Sequence, residues 1–104
     1  MPDAEGFDVK PSILLDENRE AIRAAAERNR TANPRVFGSV LRGDDREDSD
    51  IDILVDALPG TTLFDLGGLH EELSELLGVR VDVRTPGDLP AKWRDQVVAE
   101  AQPV

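Results

Sequence analysis

The chain has no cysteine, which excludes disulfides and thiolate metal sites and is consistent with a reducing compartment. It has a single histidine, His70, and without cysteine or a second imidazole a zinc site is not expected. Positive charge is scarce as well: 12 Lys and Arg stand against 22 Asp and Glu, for a net charge of −10. Phosphate backbones and anionic membranes attract cations, so direct nucleic-acid or membrane binding is not expected, whereas a basic protein partner or bound cations would suit the charge. No apolar run approaches transmembrane length, and the N-terminal "MPDAEGFDVKPSILLDENRE" lacks the basic and apolar regions of a signal peptide. A cytoplasmic protein is expected. The tripeptide Arg42-Gly43-Asp44 would be an adhesion motif only in a secreted chain, and there is no GxxxxGK[ST] phosphate loop.

What is present reads as one domain over residues 12–104, preceded by a loose arm over residues 1–11. Leu15, Ile22 and Ala25 or Ala26 follow a helical period from Ser12, and Asn33-Pro34 is expected to end that helix. Arg19, Arg23, Arg28 and Arg30 on the same segment read as a solvated face or as contacts to an acidic partner. Arg35 to Phe37 reads as a short strand, "SVLRG" as a helical turn, and Ser49 to Asp56 as a strand. A helix through Leu63, Leu66, Leu69, Leu73 and Leu76 stops at Gly78, its leucine stripe serving as core or interface. Val79 to Arg84 alternates as a half-buried strand, and Trp93 to Ala101 as a weaker helix, with Trp93 either core or interface anchor. The expected fold class is α/β (α+β), a small mixed sheet flanked by helices.

Seven acidic residues lie between Asp44 and Asp56 against one Arg, and two of them, Asp50 and Asp52, are threaded through an apolar strand. Residues two apart share a strand face, so Asp50 and Asp52 point one way while Ile51, Ile53 and Val55 supply core on the other. In the last strand Val79, Val81 and Val83 take the core face and Asp82 the other, between Arg80 and Arg84. If these strands are neighbours in register, three carboxylates converge. Like charges so placed raise one another's pKa, and a hard divalent cation such as Mg2+ or Mn2+ would relieve them. The remaining acids, Asp44, Asp45, Glu47 and Asp48, read as a solvated loop. Gly38-Ser39, between a strand and a helical turn, offers backbone N–H groups and a hydroxyl to an anion.

The run "GSVLRGDDREDSDIDILV" followed by "LLGVRVDV" resembles the minimal nucleotidyltransferases of the DNA polymerase beta-like superfamily: Gly-Ser, ten residues, Asp-x-Asp, then a carboxylate on a later strand. The resemblance runs from about Val36 through the tail "VVAEAQPV". Val40-Leu41 departs from it, since many members look more like "RAR" there. The resemblance implies transfer of a nucleoside monophosphate from a triphosphate, ATP, to a hydroxyl. Asp50, Asp52 and Asp82 would hold two Mg2+ ions (or Mn2+) and form the catalytic set, and Asp82 would also take the acceptor's proton. Gly38, Ser39 and Arg42 would bind the nucleotide's phosphates.

Only 22 residues follow Asp82, too few for the helical domain that larger relatives use to hold an acceptor, so a protein partner is expected to supply it. Small members of this family are typically antitoxins that bind a HEPN-family ribonuclease toxin and silence it by adding AMP to a tyrosine, forming a hetero-oligomer. Two rival readings are an antitoxin that masks its partner sterically and an enzyme that modifies a small molecule such as an antibiotic.

Overall fold

The computed structural model describes residues 9–104; most of the arm expected over residues 1–11 lies outside them. Five α-helices and four strands follow in the order α1 (Pro11–Glu17), α2 (Arg19–Arg28), β1 (Thr31–Phe37), α3 (Gly38–Arg42), β2 (Ile51–Ala57), α4 (Leu63–Leu77), β3 (Val81–Arg84), α5 (Ala91–Glu100) and β4 (Gln102–Pro103). The sheet order is β3-β2-β1-β4, with β2 and β3 parallel and the other pairs antiparallel. This is the mixed α/β sheet that the patterning predicts.

The single helix expected from Ser12 to Pro34 is instead two. Asn18 leaves the helical region (φ −124°, ψ 19°) and its side-chain amide donates to the Leu14 carbonyl at 2.8 Å, so a local side-chain bond replaces a helical one. Leu15, Ile22, Ala25 and Ala26 are nevertheless buried as the period demands. Nor does Asn33-Pro34 end the second helix, which stops at Arg28. The pair lies inside β1, where Asn33 has φ +54° and the register with β2 shifts between Ala32 and Arg35. A bulge accommodates a proline that cannot donate to a ladder.

One sheet face carries the main core. Ile51, Ile53, Val55, Val36 and Val81 pack with Ile22 of α2 and with Leu69, Leu73 and Leu77 of α4. The leucine stripe of α4 is thus core from Leu69 onward: Leu63 is exposed, and at the C-terminal end Leu77 rather than Leu76 turns inward. The other face is not wholly polar. Leu54, on the same side as Asp52, is fully buried, and Leu89 is buried next in sequence to the 3-10 turn Pro86–Asp88 that packs on β2. Burying one leucine contributes about 2 kcal/mol, which favours packing of that turn on β2.

Two further groups have roles that local sequence does not carry. Arg19 and Arg23 are not a free face: they donate to the carbonyls of Pro103 at 3.2 Å and Val104 at 2.6 Å, holding β4 against β1. Arg28 pairs with Glu72 and ties α2 to α4. Trp93 is exposed on α5 beside Lys92, not in the core, and His70 is exposed on α4.

Asp45 corrects the reading of the acidic loop as solvated throughout. Its carboxylate is buried and accepts from the Ser12 backbone N–H at 2.9 Å. It thereby satisfies a first-turn donor of α1 that Lys10, at the N-cap, leaves open. Burial opposes its charge, but hydrogen bonding from Ser12, with help from Lys10, holds the carboxyl below its ordinary pKa. A depressed folded pKa gives stability that is present above the unfolded value and lost as pH falls through the folded one. Asp45→Ala should lower stability at pH 7 by about 1 kcal/mol, read as a shift of the denaturant midpoint. That loss should shrink toward acid pH; an equal loss at pH 3 and pH 7 would contradict the capping role.

Candidate active site

The site forms where three strand ends meet. β2 and β3 pair in parallel with Ile51 opposite Val81 and Asp52 opposite Asp82, so the two aspartates stand side by side on adjacent strands, about 5 Å apart along the ladder. Asp50 precedes β2 by one residue, and the Ile51 N–H donates to the Arg80 carbonyl at 3.0 Å, which fixes the register there.

On the other side of Asp52, β1 ends and α3 begins at Gly38. Gly38 has φ +77°, and a Cβ built on it would lie 2.2 Å from Asp52 Oδ2. The position therefore requires glycine twice over: for its left-handed backbone, and because the Asp52 carboxylate occupies the space. Ser39 follows as the second residue of α3, half-buried. Val40 and Leu41, the bulky departure from the family pattern, spend their bulk on the core: Val40 is buried within it and Leu41 packs against it.

The carboxylates are not equivalent. Asp82 Oδ2 accepts from Arg84 Nε at 2.9 Å, and Asp50 Oδ1 lies 3.4 Å from Arg80 Nε. Asp52 has no such cation against it among the described residues. Its pKa is pushed up to about 6, first by burial and then by the charges of Asp82 and Asp50, against the opposing pull of Arg84 and Arg42. Arg42 ends α3, is exposed, and pairs with Asp44 at 3.3 Å rather than with the cluster. The pairing of Arg84 with Asp82 was available in "RVDVR", whose alternation puts them on one face; that of Arg80 with Asp50 depends on the register of β2 and β3.

Among the described residues no three acidic or histidine side chains are gathered into a ready metal cage. The donor chemistry still fits a hard divalent cation: two carboxylates in register and a third close enough for its charge to act on Asp52, all oxygen donors. A cation would take the place that Arg84 and Arg80 hold against Asp82 and Asp50. A small polar cleft of about 200 Å3 opens beside Asp50, lined by Glu47, Asp48, Ser49, Val79 and Arg80. A larger cavity, about 560 Å3, contains none of these aspartates and lies along the bulged half of β1.

Because the folded pKa of Asp52 is raised, its ionisation opposes folding in the metal-free chain, and that loss grows as pH rises through about 6. Asp52→Asn removes the charge with little change of shape. It should stabilise the metal-free protein by about 1–2 kcal/mol at pH 8, allowing for partial exposure, and have little effect at about pH 3, below the ordinary carboxylate value. Thermal melts in EDTA at both pH values decide this, and a destabilised variant at pH 8 would contradict it.

Comparison with known proteins identifies the family. Residues 18–103 match the nucleotidyltransferase domain family. A protein adenylyltransferase of Thermococcus cleftensis, MntA, is 52% identical over 65 residues, covering 62% of this chain and 66% of that protein. The solved structure of a minimal nucleotidyltransferase superposes with a TM-score of 0.81 at 44% identity, covering 89% of this chain and 95% of the other. A toxin–antitoxin structure with AMP-PNP gives a TM-score of 0.70 at 25% identity, covering 83% and 71%. The match over residues 18–103, most of the sequence, places the chain in the nucleotidyltransferase domain family.

Proposed function

We propose that the chain transfers AMP from ATP to a hydroxyl of a partner protein, as the antitoxin that neutralises a HEPN-family ribonuclease toxin. The observation that carries the reading is the row formed by Asp82, Asp52 and Gly38 across β3, β2 and the end of β1. In-line displacement at phosphorus needs the attacking and leaving oxygens on opposite sides of the reacting atom. The row supplies two such sides, with Asp52 between them.

Gly38 and Ser39 take the β and γ phosphates at one end, with Arg42 adding charge once freed from Asp44. Asp82 faces the acceptor at the other end. The acceptor oxygen bonds to the α-phosphorus as the bond from that phosphorus to the bridging oxygen breaks, and pyrophosphate leaves with the bond's electrons. The acceptor's proton passes to Asp82 and on to solvent. Two Mg2+ ions, or Mn2+, held by Asp50, Asp52 and Asp82 would neutralise charge on the attacking and leaving oxygens.

The relatives support the choice of acceptor. One is named as a protein adenylyltransferase, and a structural neighbour is a toxin–antitoxin complex with an ATP analogue. The chain contains no tyrosine, so a tyrosine acceptor belongs to a partner. No described helix is long and apolar enough to cross a membrane.

The test is incubation of the purified chain with Mg2+, labelled ATP and the product of the adjacent gene, scored for label on that product. Asp50→Asn and Asp82→Asn should each lower labelling by roughly 100-fold or more, the scale of removing one charge-stabilising group from a transition state. A tight complex with no label, and toxin neutralisation that survives Asp50→Asn with Asp52→Asn, would instead establish steric masking.

A further inference from the structure

At the end of the sheet away from the aspartates, the link between β2 and α4 is firmly built. The Leu58 N–H donates to Thr61 Oγ1 at 2.8 Å, and that hydroxyl donates to the Arg30 carbonyl at 2.5 Å. Thr62 and Asp65 close a reciprocal capping box at the start of α4. On this ordered platform the first two residues of the helix, Leu63 and Phe64, are 85% and 92% exposed. Leu58, in the same link, is also exposed and lines the large cavity along β1. One turn on, exposed Gly67 has nothing within 4 Å of where a Cβ would stand, leaving the helix surface bare. A rigid, solvent-facing Leu-Phe pair beside a bare glycine costs solubility and gives the fold nothing, which marks it as an interaction surface.

The charge on α4 says what covers it. The helix carries Asp65, Glu71, Glu72 and Glu75 and not one Lys or Arg. Asp65 is committed to the cap and Glu72 to Arg28 and Asn29, whereas Glu71 and Glu75 make no ion pair among the described residues. A second copy laid face to face here would set two all-acidic helices, on chains of charge −10, against each other. We propose that Leu63 and Phe64 are the anchor by which this chain docks a basic protein partner, inserting into an apolar pocket on that partner whose rim of Lys or Arg meets Glu71 and Glu75.

The identity of the partner rests on the antitoxin reading; the docking surface does not use the catalytic aspartates. β2 spans roughly 20 Å at strand rise, so the Leu63/Phe64 anchor and the aspartates stand at opposite ends of the sheet. The two functions are therefore separable by mutation.

The test measures affinity of the purified chain for the purified product of the adjacent gene by calorimetry, with sedimentation of the chain alone. Leu63→Ser with Phe64→Ser should weaken binding by at least about tenfold, as loss of a central apolar anchor does. Both side chains are solvent-exposed, so thermal melting and Mg2+–ATP binding should stay as in wild type. Glu71→Lys with Glu75→Lys should slow association and flatten its salt dependence. Asp50→Asn should keep full affinity while losing label transfer, so failure of the enzymatic reading and failure of this surface give different results. The proposal is overturned if the Leu63/Phe64 variant binds within twofold of wild type. It is also overturned if the wild-type chain alone self-associates through these residues, or binds no such protein at all.

Discussion

The close approach of the Asp52 carboxylate to Gly38 is the constraint on which the site depends. A Cβ at residue 38 and Oδ2 of Asp52 cannot share the space they would need. The turn from β1 into α3 must therefore pass directly over the second strand's aspartate, and Ser39 follows at a fixed place. Because Val40 is anchored in the core, α3 cannot back away to relieve the contact. The same contact denies Asp52 part of its hydration. Together with Asp82 across the ladder and Asp50 nearby, it makes this the carboxylate whose ionised form is least comfortable. A group held so is poised for a cation.

The charged residues around the cluster form a graded set. Asp50 and Asp82 each face an arginine of the β3 segment, and both partners remain substantially exposed, so each pair contributes little to stability. Weak pairs of this kind are readily exchanged. They screen the two outer carboxylates without locking them away, and leave the middle one to set the demand for positive charge.

Much of this was legible in the sequence, for reasons that are local. The period of two in "SDIDILV" and "VRVDVR" fixes which side chains share a face, and the spacing of Leu69 and Leu73 fixes the inward side of α4. What escaped depends on partners distant in the chain. Asp45 is buried because Ser12, 33 residues earlier, needs an acceptor. Arg23 is committed because the Val104 carbonyl, 81 residues later, reaches it. Leu54 shares its face with Asp52 and by alternation alone should be wet; it is fully buried, on the strand against which the turn after β3 packs. The break at Asn18 and the bulge at Asn33 follow from amide side chains that satisfy backbone groups locally, an option that helical periodicity does not register.

The bulge in β1 has a consequence for assembly. The sheet ends on one side in β3, four residues long with Asp82 and Arg84 on it, and on the other in β4, only two residues long. Below β4 the outer edge of β1 is interrupted by Asn33 and Pro34. The β4 side offers no unbroken row of backbone donors and acceptors to a foreign strand, and the β3 side offers only four residues. Strand addition, the least selective way for a sheet protein to gain a neighbour, finds little purchase on edges this short. Selective binding then falls to the side chains.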